Sequence, residues 1–523
     1  METPLDALFI SVGDNEEDKA LPLGVAFLAG QLKAAGFSYD VFDLSNRGWV
    51  NESLSELMEI VDRRTPSVIG ISSTGYYIKK VRKLIRLLRA THTSSLIVIG
   101  GYISLIPHIL RQTNADVVCL GEGDKTIVSL LHAVSQEKPL NDELKKIPGI
   151  RFRNNGVIVG TQKKLPIDDL DVIAFPDFSI FDLNSYSHPN SLPMYAQRGC
   201  YNNCSFCDII PFYKIQYIRR MSPGRVLEWI EKSVRDYDIK RVDFMDDNFL
   251  NSRPFVEKFF HLLKKYNESL SRPVPVKINF QARSNEVLRF KSVLERYKSY
   301  INSIQLGTES FSQSQLDRWQ KNLTRLDNVN AIKFLSDANI TFVNYYLWID
   351  PETTVEELYE NVDIVLELPP TPLHLSDSEV PNCIYNYEIS AIYDRVGISS
   401  VGDIPELNAA ETFLNETNAI AKEISFIYIG LKVLLDQNEA LKEDRAFYQS
   451  ITSFFQLSER FMEKRLNMVP HLVDQVQKKR LFKKKRANEI LPLKLEEMKK
   501  MGKQIILPLR DKLKLDLENL TGR

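Results

Sequence analysis

The chain has 523 residues, 44% hydrophobic and 26% charged, with a formal net charge of −1. That balance is the balance of a water-soluble globular protein of about three domains. It excludes a chain-wide electrostatic case for nucleic acid, and no apolar run approaches the roughly 18–20 residues of a membrane-spanning helix. The first residues, Met1-Glu2-Thr3-Pro4-Leu5-Asp6, are acidic and run straight into a strand-like segment, so no signal peptide is expected.

Residues 1 to about 140 alternate strand and helix signals. Ala7 to Val12 reads as a buried strand, Leu23 to Ala35 as a helix ending at Gly36, and Ser38 to Phe42 as a second strand. Ser67 to Ser72 is a third strand, followed by a basic amphipathic helix from Lys79 to Arg89. Leu96 to Ile99 and Asp116 to Leu120 complete the series, and they run into Gly100-Gly101 and Gly121-Glu122-Gly123. Short apolar runs separated by helices predict a parallel sheet covered on both faces. Such sheets bind ligands at the carboxyl ends of their strands, where these glycine-rich turns fall.

Residues 141–190 read as a connector with a small hairpin, Gly149–Arg153 against Gly156–Gly160. A second strand–helix series occupies residues 191–395. Its strands are predicted at Pro193–Gln197, Arg241–Phe244, Val276–Phe280, Ser303–Leu306 and Thr341–Trp348, and such units close into a full or partial barrel. Residues 396–523 are rich in Glu, Lys and Leu, poor in strand signals, and expected to be helical.

Of the five cysteines, Cys200, Cys204 and Cys207 crowd into eight residues directly after a predicted strand. An odd count clustered in this way is a poor disulfide framework and a good metal-site pattern in a reducing compartment, so a cytoplasmic location is expected. Three thiolates can each hold one iron of a cubane cluster, leaving the fourth iron open to a small-molecule ligand. Zinc, held by three cysteines and a histidine, is the alternative. No histidine lies within the loop.

The loop resembles the signature of the radical S-adenosylmethionine (SAM) superfamily. The resemblance implies a 4Fe–4S cluster on the three cysteines. It further implies SAM bound to the open iron through its amino and carboxylate groups, and reductive cleavage to a 5′-deoxyadenosyl radical. Phe206, just before the third cysteine, then lies against the adenine. Three later strand ends are similar to the family's SAM-contacting positions. Asp246 and Asp247 would serve as acceptors for the SAM ammonium, Gln281 and Arg283 would serve its carboxylate and ribose, and Glu309 sits within Gly307-Thr308-Glu309-Ser310. Trp348-Ile349-Asp350-Pro351-Glu352-Thr353-Thr354 loosely resembles a later family turn, with Ile349 and Glu352 where glycines are common.

The N-terminal series resembles the cobalamin-binding domain fused to many radical SAM enzymes. The residues that carry this are Pro22-Leu23-Gly24, Ser72-Ser73-Thr74, Gly100-Gly101 and Gly121-Glu122-Gly123. The seven histidines include no Asp-x-His-x-x-Gly motif, which implies that no imidazole ligates the cobalt and that Tyr76 or Tyr77 covers its lower face. The implied fold is α/β: a doubly wound (Rossmann/flavodoxin-like) cobalamin-binding domain, a partial (β/α)6 TIM-type radical SAM barrel, and a mostly helical C-terminal domain that caps the barrel.

The expected activity is methylation of an unactivated carbon in a small-molecule or carrier-bound substrate, using SAM and cobalamin and an external electron donor such as flavodoxin or ferredoxin. The alternatives are a radical rearrangement, cyclisation or dehydrogenation without methyl transfer, and a non-catalytic corrinoid- or metal-binding module. Lys478 to Arg486 holds seven basic residues in nine, which reads as a solvated helix face or as a surface for an acidic partner.

Overall fold

β1 (Ala7–Val12) divides its side chains between two cores. Ala7 and Phe9 join one, while Leu8, Ile10 and Val12 join the other. That is the signature of a central strand in a sheet covered on both faces. In the computed structural model, which describes residues 3–13, 19–90, 94–106, 109–270, 274–347, 353–368 and scattered helical positions between 420 and 504, β1 lies inside a seven-stranded sheet. Its other strands are β2 (Tyr39–Asp43), β3 (Val68–Ser73), β4 (Leu96–Gly100), β5 (Val117–Cys119), β6 (Ile150–Asn154) and β7 (Val157–Gly160), in the order β2-β1-β3-β4-β5-β6-β7.

The first five strands of that sheet are parallel. The hairpin β6–β7 extends the sheet by pairing antiparallel with β5, a partner that its own sequence does not name. Helix α1 (Leu23–Ala35) covers one face and ends, as its glycine predicts, with Gly36 in the left-handed conformation. Helix α2 (Ile78–Ala90) covers the other, with Val81, Leu84, Ile85 and Leu88 buried at helical spacing.

The second sheet is five parallel strands in the order β14-β13-β12-β11-β8. These are β8 (Ser191–Met194), β11 (Arg241–Phe244), β12 (Lys277–Arg283), β13 (Ile301–Glu309) and β14 (Phe342–Tyr346). A separate antiparallel pair, β9 (Gln197–Arg198) with β10 (Arg219–Arg220), sits at the mouth. The strand expected at Pro193–Gln197 therefore breaks at Tyr195–Ala196. The break follows from Asp246, whose carboxylate takes the N–H groups of Ala196 and Gln197 that a ladder would otherwise use.

The helix Pro223–Tyr237 starts where Ser222 accepts from Arg225 N and proline occupies the first turn. One apolar cluster runs without interruption from Phe9, Phe27 and Val117 of the first sheet through Trp229 to Phe244, Ile278 and Ile304 of the second. Ile424, Phe454, Phe461, Met462, Met498 and Met501 of the C-terminal region join it. The expected turn at Trp348–Glu352 lies outside the described residues, as does the basic stretch Lys478–Arg486. Among the described residues no helix is long and apolar enough to cross a membrane.

Candidate active site

The cysteine loop leaves β9 through Gly199, whose φ of +94° places it in the left-handed region. A Cβ there would stand 2.5 Å from Tyr217 O, so only glycine fits. Its N–H donates to Asp247 Oδ2 at 2.8 Å. Cys200 is buried and Cys204 and Cys207 are half-buried, all three as free thiols. Asn202 brings its backbone N and Nδ2 to 3.4 and 3.5 Å from Cys200 Sγ, and Arg283 Nη1 lies 3.4 Å from Cys204 Sγ.

Burial pushes the Cys207 thiol well up, and its two neighbouring cysteines push it further. Burial also raises Cys200, against the pull of the Asn202 donors. Thiols raised in this way ionise only when a strongly positive group receives them. Among the described residues no three His, Cys, Asp or Glu side chains gather closely enough to hold a metal ion as they stand. The loop is therefore no ready-made single-ion cage of the zinc kind. A cubane presents a separate iron to each thiolate, and its ligands need not meet at one point.

The strand ends around the loop bring several of the named residues together. Phe206 packs edge-on to Trp319 with centroids 6.0 Å apart, and Lys321 Nζ stands 5.6 Å over its ring. Lys321 Nζ is 2.8 Å from Glu309 Oε1. Glu309 adopts φ +62°, just where the register shifts between β13 and β14. Arg283 is buried between Cys204 and the Lys321 carbonyl. Gln281 is half-buried in β12, and its carbonyl receives Phe249 N.

Asp246 departs from its expected role. It is fully enclosed, and its oxygens accept from Ala196 N, Gln197 N and Gln197 Nε2, so it braces the strand break from within the core. Burial pushes it up to about 8 against those donors. Burial also pushes Asp247 up to about 6, opposed by Gly199 N–H and by Arg198 and Arg219. Spare acceptors lie at Asn248 and at Glu286 in the helix Ser284–Arg289. Glu286 Oε1 receives Tyr201 OH and Asn248 Nδ2, whereas Glu286 Oε2 and Asn248 Oδ1 are buried without a partner.

A cavity of about 500 Å³ opens between the two sheets. Ser72, Ser73, Thr74, Tyr77, Gly100, Gly101, Gly121, Glu122 and Gly123 line it. Pro22 and Leu23 do not: Pro22 caps α1 and Leu23 is packed in the core. The backbone of Tyr76 is described and its side chain is not. Gly24, which stands in the same sequence motif as Pro22 and Leu23, does line the cavity, and the sequence reading missed Gly70, Tyr102, Tyr195, Phe212 and Tyr213 on the wall. Tyr102 directly follows Gly100-Gly101, and Phe212 and Tyr213 directly follow the cysteine loop, which is the signal that could have found them.

A Cβ added at Gly24 or Gly100 would meet nothing within 4 Å, so both glycines leave open space for a bound group. A sizeable cradle with small residues at strand ends and aromatic rings opposite fits the tail and ring of a corrinoid. Glu122 is committed elsewhere. Its carboxylate takes Arg198 Nη1 at 3.0 Å, Arg219 Nη1 at 2.9 Å and Ile167 N at 3.1 Å. It therefore ties the cavity wall to the β9–β10 pair that carries the cysteine loop.

Comparison with known proteins agrees with this geometry. The B12 binding domain model matches residues 12–131, and the Radical SAM superfamily model matches residues 194–364. The chain carries a radical SAM domain and a B12-binding domain. These domains imply a 4Fe–4S cluster, SAM and cobalamin as its cofactors. The chain is 28% identical over 353 residues to an anaerobic magnesium-protoporphyrin IX monomethyl ester cyclase of Rubrivivax gelatinosus, covering 65% of this chain and 61% of that protein. It is 23% identical over 442 residues to the cobalamin-dependent radical SAM methyltransferase TokK of Streptomyces tokunonensis, covering 75% of this chain and 61% of that one. It thus spans about three-fifths of the length of these relatives. Among solved structures, the cobalamin-dependent SAM radical enzyme OxsB with aqua-cobalamin bound has the same fold. The TM-score is 0.63 at 16% identity, over 99% of this chain and 80% of that one.

Proposed function

We propose that this radical SAM protein is a cobalamin-dependent methyltransferase acting on an unactivated carbon of a small or carrier-bound substrate, with an external flavodoxin- or ferredoxin-type electron donor. One observation carries the reading: Arg198 lines the corrinoid cavity and stands two residues before Cys200, so the two cofactor sites share one short strand. When bound, the cluster with SAM supplies a hydrogen-abstracting radical and cobalamin supplies a methyl group.

The chain's own residues bind, orient and shield. Cys200, Cys204 and Cys207 ligate iron, and Arg283 and Asn202 direct N–H donors at their sulfurs. Asn248 Oδ1 and Glu286 Oε2, both without a partner, offer the SAM ammonium acceptors in place of the enclosed Asp246. Asp247 fixes the entry to the loop through Gly199. Phe206, Gln281 and the Glu309–Lys321 pair border the SAM position. Tyr102 and Phe212, with centroids 4.6 Å apart, pack together on the cavity wall.

The test is anaerobic reconstitution with iron, sulfide and hydroxocobalamin, followed by product counting with candidate substrates. About four irons and one cobalt per chain, with iron lost in a Cys200/Cys204/Cys207→Ala variant, support both cofactors. Formation of S-adenosylhomocysteine together with 5′-deoxyadenosine supports methyl transfer. The relative from Rubrivivax is named a cyclase, which favours a second reading of radical chemistry without methyl transfer. That reading requires 5′-deoxyadenosine alone.

A further inference from the structure

A second concavity, of about 390 Å³, adjoins the corrinoid cavity and shares Gly121, Glu122, Phe212 and Tyr213 with its wall. Four cations from three separate segments line it. Arg151 comes from β6, Lys163 and Lys164 from the strap after β7, and Lys214 from the left-handed end of the helix Ile209–Tyr213. The one carboxylate among the lining residues is Glu122, which is already saturated by Arg198, Arg219 and Ile167 N. Lys164 Nζ is fixed at one wall by Glu122 O at 2.5 Å and Thr126 Oγ1 at 2.6 Å. Among the described residues, the side chains of Arg151, Lys163 and Lys214 have no carboxylate partner.

Like charges held in one concavity repel one another, and an anion placed among them relieves that repulsion. A chain with net charge −1 has no general excess of cations to scatter there. The donor set also selects the anion. A planar carboxylate is matched by a single arginine fork, whereas three lysine point charges and one arginine arriving from several sides suit a tetrahedral, multiply charged group.

We propose that this groove binds the phosphate or pyrophosphate group of a small molecule and rests the remainder of that molecule on the Phe212–Tyr213 wall shared with the corrinoid cavity. Two sources share this chemistry: a separate phosphorylated ligand, and the nucleotide-tail phosphate of the corrinoid itself. The site stands apart from the methyl-transfer reading, and its failure would leave that reading untouched.

The experiment is calorimetric titration of inorganic pyrophosphate into the full chain carrying its cluster, with and without hydroxocobalamin, for wild type and for Lys163→Gln/Lys214→Gln. Both substituted side chains are exposed, so the fold survives, as unchanged iron content verifies. The expected result is saturable binding that weakens about tenfold in the double variant and falls with added salt. Binding that persists with cobalamin present supports the site and assigns it to a separate ligand. Binding abolished by cobalamin supports the site and assigns it to the corrinoid phosphate. Equal affinity in the variant, acetate bound as tightly as pyrophosphate, or no saturable binding in either state overturns the proposal.

Discussion

The carboxylate of Asp124 and the guanidinium of Arg198 lie face to face, with Oδ2 2.9 Å from Nη1 and Oδ1 3.1 Å from Nη2, and each side chain is 6% exposed. Asp124 opens the helix Asp124–Ser135 at the edge of the corrinoid cavity, and Arg198 ends the strand that feeds the cysteine loop. Arg198 also stands 5.0 Å over the ring of Phe27 in α1. The two halves of the molecule are thus joined by an oriented, buried ionic contact at the point where both cofactor sites converge.

Removing one partner of that contact should be costly. Asp124→Ala leaves a buried guanidinium with only Glu122 to share, and loss of one member of a buried pair costs about 3–5 kcal/mol. Burial alone would raise the Asp124 carboxyl, but the Arg198 guanidinium overrides it and holds the group below the usual carboxylate range. Its contribution is therefore present above about pH 4 and is lost as pH falls through the lowered folded value. Urea unfolding of the cofactor-free chain should show a wide gap between wild type and variant at pH 7 that narrows in acid. A gap that does not change with pH would refute the ionic origin.

Gly100→Val tests the corrinoid cavity without disturbing the fold. Gly100 ends β4 with open space where a Cβ would sit, and valine suits a strand. The branched side chain should enter the cavity and lower cobalt retention about tenfold or more, while iron content stays unchanged. Gly101→Ala is the contrasting variant. Gly101 has φ +82° and its Cβ would stand 2.9 Å from Ser73 O, so this change should destabilise the chain itself.

What the sequence makes legible follows from how local each signal is. Ala7–Val12 and Leu23–Ala35 are readable because an apolar run and a terminal glycine fix them within their own segments. The cysteine loop is readable because its ligands are neighbours in sequence. Lys321, brought to Glu309 by the turn after a short helix, carries no motif and cannot be found from spacing. The opposite failure occurs at Asp246. Its position after a strand suggests an acceptor for ligand, but its carboxylate takes the N–H groups of Ala196 and Gln197 from across the sheet and interrupts the strand there. Glu122 is similar: its glycine-flanked turn does line the cavity, yet Arg219, 97 residues away, claims the charge.

Asp246 should leave a mark on stability against pH. Its folded value, raised to about 8 by burial, lies far above the roughly 3.9 of an unfolded aspartate. Folding therefore favours the protonated form. Stability is full below about pH 4 and declines as pH rises toward 8, by up to about 1.4 kcal/mol per unit for one proton. Asp247, raised to about 6, adds to the slope only at lower pH, so the window from 6 to 8 isolates Asp246. Asp246→Asn still accepts from Ala196 N but has no charge to acquire. Its denaturant midpoint should stay flat from pH 6 to 8 where that of wild type falls, and parallel slopes would refute the assignment.

Glu309 and Lys321 should trade stability against SAM binding. Glu309 holds φ +62°, a conformation that costs a non-glycine residue about 1–3 kcal/mol and is kept where function demands it. Lys321 is 4% exposed, and its ammonium pairs with the Glu309 carboxylate. Lys321→Met alone strands a carboxylate in a strained, largely enclosed position and should destabilise by about 3 kcal/mol. Glu309→Gly alone relieves the backbone but strands the ammonium. Glu309→Gly/Lys321→Met removes strain and both charges together and should recover wild-type stability or exceed it by about 1 kcal/mol. The same double variant should bind SAM at least about tenfold more weakly, because the ion pair beside Phe206 is gone. Unfolding free energies of the four proteins give the coupling, and equilibrium dialysis of SAM into the cluster-loaded forms gives the affinity. A double variant that keeps full SAM affinity would remove Glu309 and Lys321 from the cofactor site and leave them a purely structural pair.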